Sequence, residues 1–107
     1  MVIQEIDDNF ARSAQVQPED VRRIAEAGYK GIVCARPDGE DAGQPAFAEI
    51  AEVAERFGLK AVHIPVSGAA TPSQLGRFEE ALAEIGGPVL GYCRSGGRAA
   101  SLYTASR

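Results

Sequence analysis

Val89-Leu90-Gly91-Tyr92-Cys93-Arg94-Ser95-Gly96-Gly97-Arg98-Ala99-Ala100 is the stretch that decides the reading of this chain. An apolar run delivers a cysteine to a short glycine-rich loop, and an arginine opens what reads as a helix. A free thiol is mostly protonated at neutral pH, so a reactive one needs positive potential, which a helix N-terminus, Arg94 and Arg98 supply. Gly96 and Gly97 can take the backbone angles that turn successive N–H groups inward as a nest for an oxyanion or a sulfur anion. Arg98 adds a planar fork that can hold two oxygens of a transferring group, a geometry lysine lacks. The blander reading is a buried thiol that ends a strand beside a solvated arginine.

Working outward, the chain alternates strand and helix patterns, which is an α/β signature. Val2–Ile6 and Phe10–Ala14 read as short extended pieces. Pro18 stands at a first helical position, with Glu19 and Asp20 behind it, Val21, Ile24 and Ala25 on one face and Gly28 as the stop. Gly31–Ala35 is a buried parallel strand by its unbroken apolar run. A polar loop from Arg36 to Gln44 follows, and Pro45 is expected to open a helix with Phe47, Ile50, Ala51, Ala54 and Phe57 facing inward. Ala61–Pro65 is the next strand and Val66–Ala70 the next loop. Thr71-Pro72-Ser73-Gln74 carries an N-cap, a first-turn proline and a capping-box glutamine. The helix it starts turns Leu75, Phe78, Leu82 and Ile85 inward and ends at Gly86-Gly87.

This order predicts a mainly parallel sheet flanked by helices, with right-handed crossovers and ligands at the carboxyl ends of the strands. Three loops meet there: Arg36–Gln44, Val66–Ala70 and Cys93–Arg98. A chain of 107 residues has room for one core, so residues 1–107 are expected to form a single domain with a shallow, loop-lined site. The net charge of −4, spread along predicted helices, argues against a nucleic-acid or membrane surface. No apolar run reaches the length of a membrane span and the start lacks the character of a signal peptide, which points to the cytoplasm. Two cysteines are too few for a disulfide framework, and no residue cluster has zinc spacing, so neither a structural metal nor a cofactor is expected.

Ala-Arg-Pro-Asp-Gly-Glu at 35–40, Val-His-Ile-Pro-Val-Ser-Gly at 62–68 and Pro-Val-Leu-Gly-Tyr-Cys-Arg-Ser-Gly-Gly-Arg at 88–98 together resemble the beta-lactamase hydrolase-like, phosphatase-like domain family. The resemblance covers nearly all of the chain from Ala14 onward. It implies a tyrosine-phosphatase-like fold and a cysteine-dependent hydrolase that forms a covalent intermediate on Cys93. The nest would be the backbone of Arg94, Ser95, Gly96 and Gly97, and Arg98 the clamp. It also implies a small anionic substrate, and the possibility of fusion or pairing with sulfur-oxidising enzymes. Ser67 stands where a dual-specificity phosphatase presents its aspartate acid, so the proton for a leaving alkoxide falls to Asp38, Glu40 or Asp41, with Asp38 the candidate catalytic acid. Ser67 and Arg36 are candidate contacts to the anion.

Four residues separate Cys93 from Arg98, one fewer than in tyrosine phosphatases. That spacing also resembles single-domain rhodaneses, which carry a persulfide on the cysteine, so sulfur transfer from a persulfide or thiosulfate is the alternative to phosphate-ester hydrolysis. A non-catalytic anion-binding regulatory module is the third. His63, the single histidine, reads as a core or sheet-face residue. Cys34, also near a strand end, is a candidate to resolve an oxidised Cys93 as a disulfide, provided their Cα atoms lie within about 7 Å.

Overall fold

In the computed structural model, which describes residues 1–107, the strands are β1 (Gln4–Glu5), β2 (Phe10–Ser13), β3 (Gly31–Cys34), β4 (Lys60–His63) and β5 (Val89–Tyr92). They form one sheet in the order β1-β2-β5-β3-β4, with β1 antiparallel to β2 and every other pair parallel. The helices are α1 (Val21–Glu26), entered through a 3-10 turn at Pro18–Asp20, α2 (Phe47–Arg56), α3 (Pro72–Ile85) and α4 (Gly97–Ala105). The α/β class and the mainly parallel sheet flanked by helices are as the sequence predicts. The first strand is shorter than Val2–Ile6, because Asp7 turns the chain back by accepting from the N–H groups of Asn9 and Phe10. No helix is long and apolar enough to cross a membrane.

Side chains alternate along the central strands and so build two cores. Val33, Val89 and Phe10 pack with Phe78 of α3 and Leu102 of α4 on one face. Ile32 and Leu90 pack with Ile24 of α1 and Ile50 of α2 on the other. Each such fully buried side chain stabilises the fold by about 1.5–3 kcal/mol. Gly91 in the middle of β5 lets the first core close. A Cβ there would stand 2.5 Å from the Phe10 ring and 3.1 Å from Ala99, so only glycine allows α4 to lie this close to its strand. The seating of α4 fixes where its second residue, Arg98, projects.

The capping box of α3 is present in full: Thr71 Oγ1 accepts from the Gln74 N–H, and Gln74 Oε1 accepts from the Thr71 N–H. Gln74 also donates to the Pro65 carbonyl, tying the helix start to the end of β4. The start of α2 differs from the expectation. Pro45 precedes the helix, which begins at Phe47, and the cap is supplied from nine residues back, where Asp38 Oδ1 accepts from the Phe47 N–H at 2.9 Å. Phe57 is not part of the inward face either. It lies beyond the last turn and is 44% exposed, while Leu59, after the Gly58 turn, fills the core at 6%.

Candidate active site

Cys93 is the first residue past β5, and the carboxyl end of that strand sits between those of β2 and β3. The loop then turns through Gly96, whose φ of +97° makes it the left-handed N-cap of α4. A side chain is excluded there twice, since a Cβ would be strained at that angle and would stand 3.2 Å from the Ser13 carbonyl oxygen. The turn brings the Gly96 N–H onto Cys93 Sγ at 3.0 Å. Cys93 is 1% exposed, and this burial opposes its ionisation; the N–H groups of Ala99, Ser95, Arg98 and Gly96 outweigh it and hold the thiol below its ordinary value. The donors on the sulfur thus come from Ser95, Gly96, Arg98 and Ala99, whereas Arg94 and Gly97, which the sequence reading also assigned to the nest, are not among them.

Arg98 leans over this nest. Its Nη1 donates to Glu40 Oε2 at 2.7 Å and to the Val66 carbonyl at 2.9 Å, and its Nη2 donates to Glu40 Oε1 at 2.8 Å. Its guanidinium is held above its ordinary value by the Glu40 carboxylate first, with Cys93 adding to the same effect. All three converging loops meet at this one side chain. Its Nε has no protein oxygen as partner, which leaves one donor edge for an anion seated on the loop. Hydrogen bonds from Arg98 and then Arg36 hold the Glu40 carboxyl far below the usual range, at about 2.

Arg36 is engaged by the protein itself. It is 3% exposed, and its three guanidinium nitrogens are spent on Glu40, Gln15 and Asp41, at 2.9, 2.9 and 2.5 Å. Expected as a contact to substrate, it stands in the structure as the buried post on which the 36–44 loop hangs. Gln44 closes the loop from the other side, donating to the Pro37 carbonyl and accepting from the N–H groups of Glu40 and Asp41. Glu40, one of three acids on this loop, is the one carried to Arg98. Asp38 forms no hydrogen bond with Cys93 or Arg98, and one of its oxygens caps α2.

Arg94 is 69% exposed and lies 3.4 Å from Asp41. Ser95 and Gly97 are exposed on the loop rim, where the Gly97 N–H approaches Ser95 Oγ at 3.4 Å. Ser67 is exposed on the segment whose first residue, Val66, binds Arg98. His63 is a sheet-face residue, as expected, stacked on Phe47 at 4.7 Å with Nε2 on the Arg36 carbonyl.

Cys34 stands in register with Tyr92, so it shares that residue's face of the sheet, and the next residue, Cys93, points to the other. The two thiols belong to different cores and both are free. The two strand ends adjoin, as expected, but with the thiols on opposite faces a direct disulfide would require the backbone to turn over. Burial pushes the Cys34 thiol up, and its Sγ donates to the Arg36 carbonyl at 3.4 Å. The neighbouring Tyr92 hydroxyl is buried without a hydrogen bond of good geometry, and burial pushes its ionisation up as well.

Comparison with known proteins places this chain among relatives. The sequence pattern described as "Beta-lactamase hydrolase-like protein, phosphatase-like domain" matches residues 3–107. A beta-lactamase hydrolase-like protein of Xylella fastidiosa is 36% identical over 107 residues, 99% of this chain and 25% of its own length. The chain thus spans about a quarter of the curated relatives it matches. The crystal structure of a candidate phosphatase from Neisseria meningitidis superposes with a TM-score of 0.85 at 34% identity, over 96% of this chain and 74% of that one. Tk-PTP in its active form shares the fold alone, at a TM-score of 0.73 and 24% identity over 97% of this chain and 70% of its own.

Proposed function

Because the chain belongs to the beta-lactamase hydrolase-like protein, phosphatase-like domain family, we propose that it is a cysteine-dependent phosphatase acting on small phosphate monoesters through a covalent intermediate on Cys93. The observation that carries the reading is the set of loop N–H groups converging on the Cys93 sulfur, which lower its pKa against the cost of burial. The same donors that hold a thiolate suit the equatorial oxygens of a phosphoryl group.

In this mechanism the Cys93 thiolate attacks phosphorus in line with the ester oxygen. The S–P bond forms as the P–O bond breaks, and the electron pair leaves on the ester oxygen. The loop N–H groups and the Nε edge of Arg98 hold the phosphoryl oxygens, while Glu40 and the Val66 carbonyl keep the guanidinium in place. Water then displaces Cys93 and releases inorganic phosphate. An alkoxide leaving group needs a proton. Glu40 and Asp41 are tied to arginines, whereas Asp38 carries no guanidinium and has an oxygen free, so the role of acid goes to Asp38.

Hydrolysis of a small aryl phosphate by the reduced protein, with Cys93→Ser beside it, tests the reading. Turnover that vanishes in the variant supports it, and turnover that survives contradicts it. The four-residue spacing of the loop favours one other chemistry, sulfur transfer, in which no acid is required. A sulfur atom gained by Cys93 from thiosulfate, with phosphate esters untouched, would replace the phosphatase reading by that one.

A further inference from the structure

The cations near the Cys93 loop are almost all spent on carboxylates, with one exception. Three arginines of the chain are not exposed: Arg12, Arg36 and Arg98. Arg36 and Arg98 pair with Glu40, and Arg36 also with Asp41, but Arg12 pairs with no carboxylate. Its one hydrogen bond runs from Nε to Gln4 Oε1 of the neighbouring strand, at 2.9 Å. That contact fixes the side chain and leaves both Nη groups as an open fork. Arg12 is half-buried with no carboxylate beside it, so an anion within reach of its Nη groups would meet an uncommitted charge.

The position of this fork is informative. Arg12 lies on β2, whose next residue, Ser13, is in register with Tyr92 immediately before the nucleophile. Its Cδ is 3.5 Å from where a Cβ on Gly96 would stand, so the arginine stem runs along the outside of the Cys93 loop. Arg12 borders an open cavity of about 300 Å³ lined also by Val2, Gln4, Ser13, Ala14 and Ser95. Ser95 is part of the loop itself, so the cavity and the nest share a wall. None of the residues around it carries a negative side chain, in a protein whose net charge is −4.

We propose that this cavity is a second anion subsite, in which Arg12 receives a second negatively charged group of the same small molecule whose phosphoryl group rests on the Cys93 loop. The inference deepens the phosphatase reading and rests on it for the identity of the first group. It narrows the substrate class to monoesters that carry a further phosphate or carboxylate, and it makes Arg12 a specificity-determining residue. The attraction adds to binding without touching the reacting atoms, so it discriminates between substrates by charge.

Non-hydrolysable probes separate the subsite from the chemistry. Calorimetric titration of the wild type at low ionic strength compares alkane bisphosphonates, from propane-1,3- to hexane-1,6-, with the monophosphonate of matching chain. At least one bisphosphonate should bind about tenfold tighter, the effect of roughly 1.4 kcal/mol. In Arg12→Gln that ratio should fall to about twofold, the statistical advantage of a two-headed ligand, and Arg12→Lys should retain part of it. Circular dichroism and thermal unfolding of each variant establish that it is folded. A ratio near twofold in the wild type for every chain length overturns the subsite, as does a tenfold ratio that survives in Arg12→Gln. Should the protein hydrolyse no phosphate ester while the ratio behaves as expected, the phosphatase reading falls and the subsite stands.

Discussion

Glu40 and Arg98, 58 residues apart, meet as a two-pronged pair in which both carboxylate oxygens accept from separate guanidinium nitrogens at 2.7 and 2.8 Å. The pair ties the loop after β3 to the first turn of α4, and Arg36 anchors it from below through its Nε at 2.9 Å. A guanidinium held at its outer edge has lost most of its rotamer freedom before any ligand arrives, which is what positioning at a reacting centre requires.

The same pair sets an acid limb of stability. The Glu40 carboxyl is lowered from 4.5 to about 2 in the fold, chiefly by Arg98. Its contribution is therefore complete above about pH 4.5 and is lost as the pH falls through 2. Melting temperatures followed from pH 6 to pH 2 should hold down to about pH 4.5 and decline below it, and Glu40→Gln, which keeps an acceptor for Arg36, should flatten the decline. An identical slope in the variant would show that the pair does not contribute to stability.

Thiol titration separates the two cysteines. Cys93 should ionise below the ordinary thiol value of 9.0, because the loop N–H groups overcome its burial, and Cys34 above it, because burial dominates there. Iodoacetamide should then modify Cys93 at a rate that levels off below pH 9, in Cys34→Ser as in the wild type, and Cys93→Ser should abolish that phase. A single phase near or above pH 9 would contradict the electrostatic account of the loop.

Gly96→Ala tests the loop's backbone. The substitution forces a side chain onto a φ of +97° and within 3.2 Å of the Ser13 carbonyl, a strain of about 1–3 kcal/mol. Relief of that strain moves the N–H that now meets Cys93 Sγ, so the Cys93 titration should shift upward together with the loss in melting temperature. A stability loss with no change in thiol titration would separate the two roles.

Asp38→Asn isolates the assigned acid. Asparagine retains an oxygen for the Phe47 N–H, so α2 stays capped and the variant should melt near the wild type. Turnover of alkyl phosphates should fall by a factor on the order of 100, while aryl phosphates, whose phenoxide leaves unaided, should lose far less. Equal losses for both classes, or none, would remove Asp38 from the mechanism.

Local signals in the sequence carried the fold wherever a residue's partner was close in the chain. Thr71 and Gln74 bond each other, and the spacing of Phe78, Leu82 and Ile85 announces the face that α3 buries. The Cys93 loop is legible for the same reason, its donors lying within six residues of the thiol they hold. Reading fails where the partner comes from afar. Asp38 caps a helix nine residues on, which displaces Pro45 from the first turn. Arg36 disappears into the protein because Gln15, from before α1, helps to satisfy it. Glu40 is visible as one acid among three, and only the packed sheet shows which of them meets Arg98. The two cysteines both end strands, yet their opposite faces follow from a register that sequence alone does not disclose.

The central claim is a phosphoryl group carried on sulfur, and rapid acid quenching of wild-type protein mixed with a small aryl phosphate tests it most directly. Mass analysis of the peptide containing Cys93 should show the mass of one phosphoryl group on that residue, rising before steady-state phosphate release and absent from Cys93→Ser. An unmodified Cys93 throughout active turnover, or a phosphoryl group found on any other residue, would contradict the account.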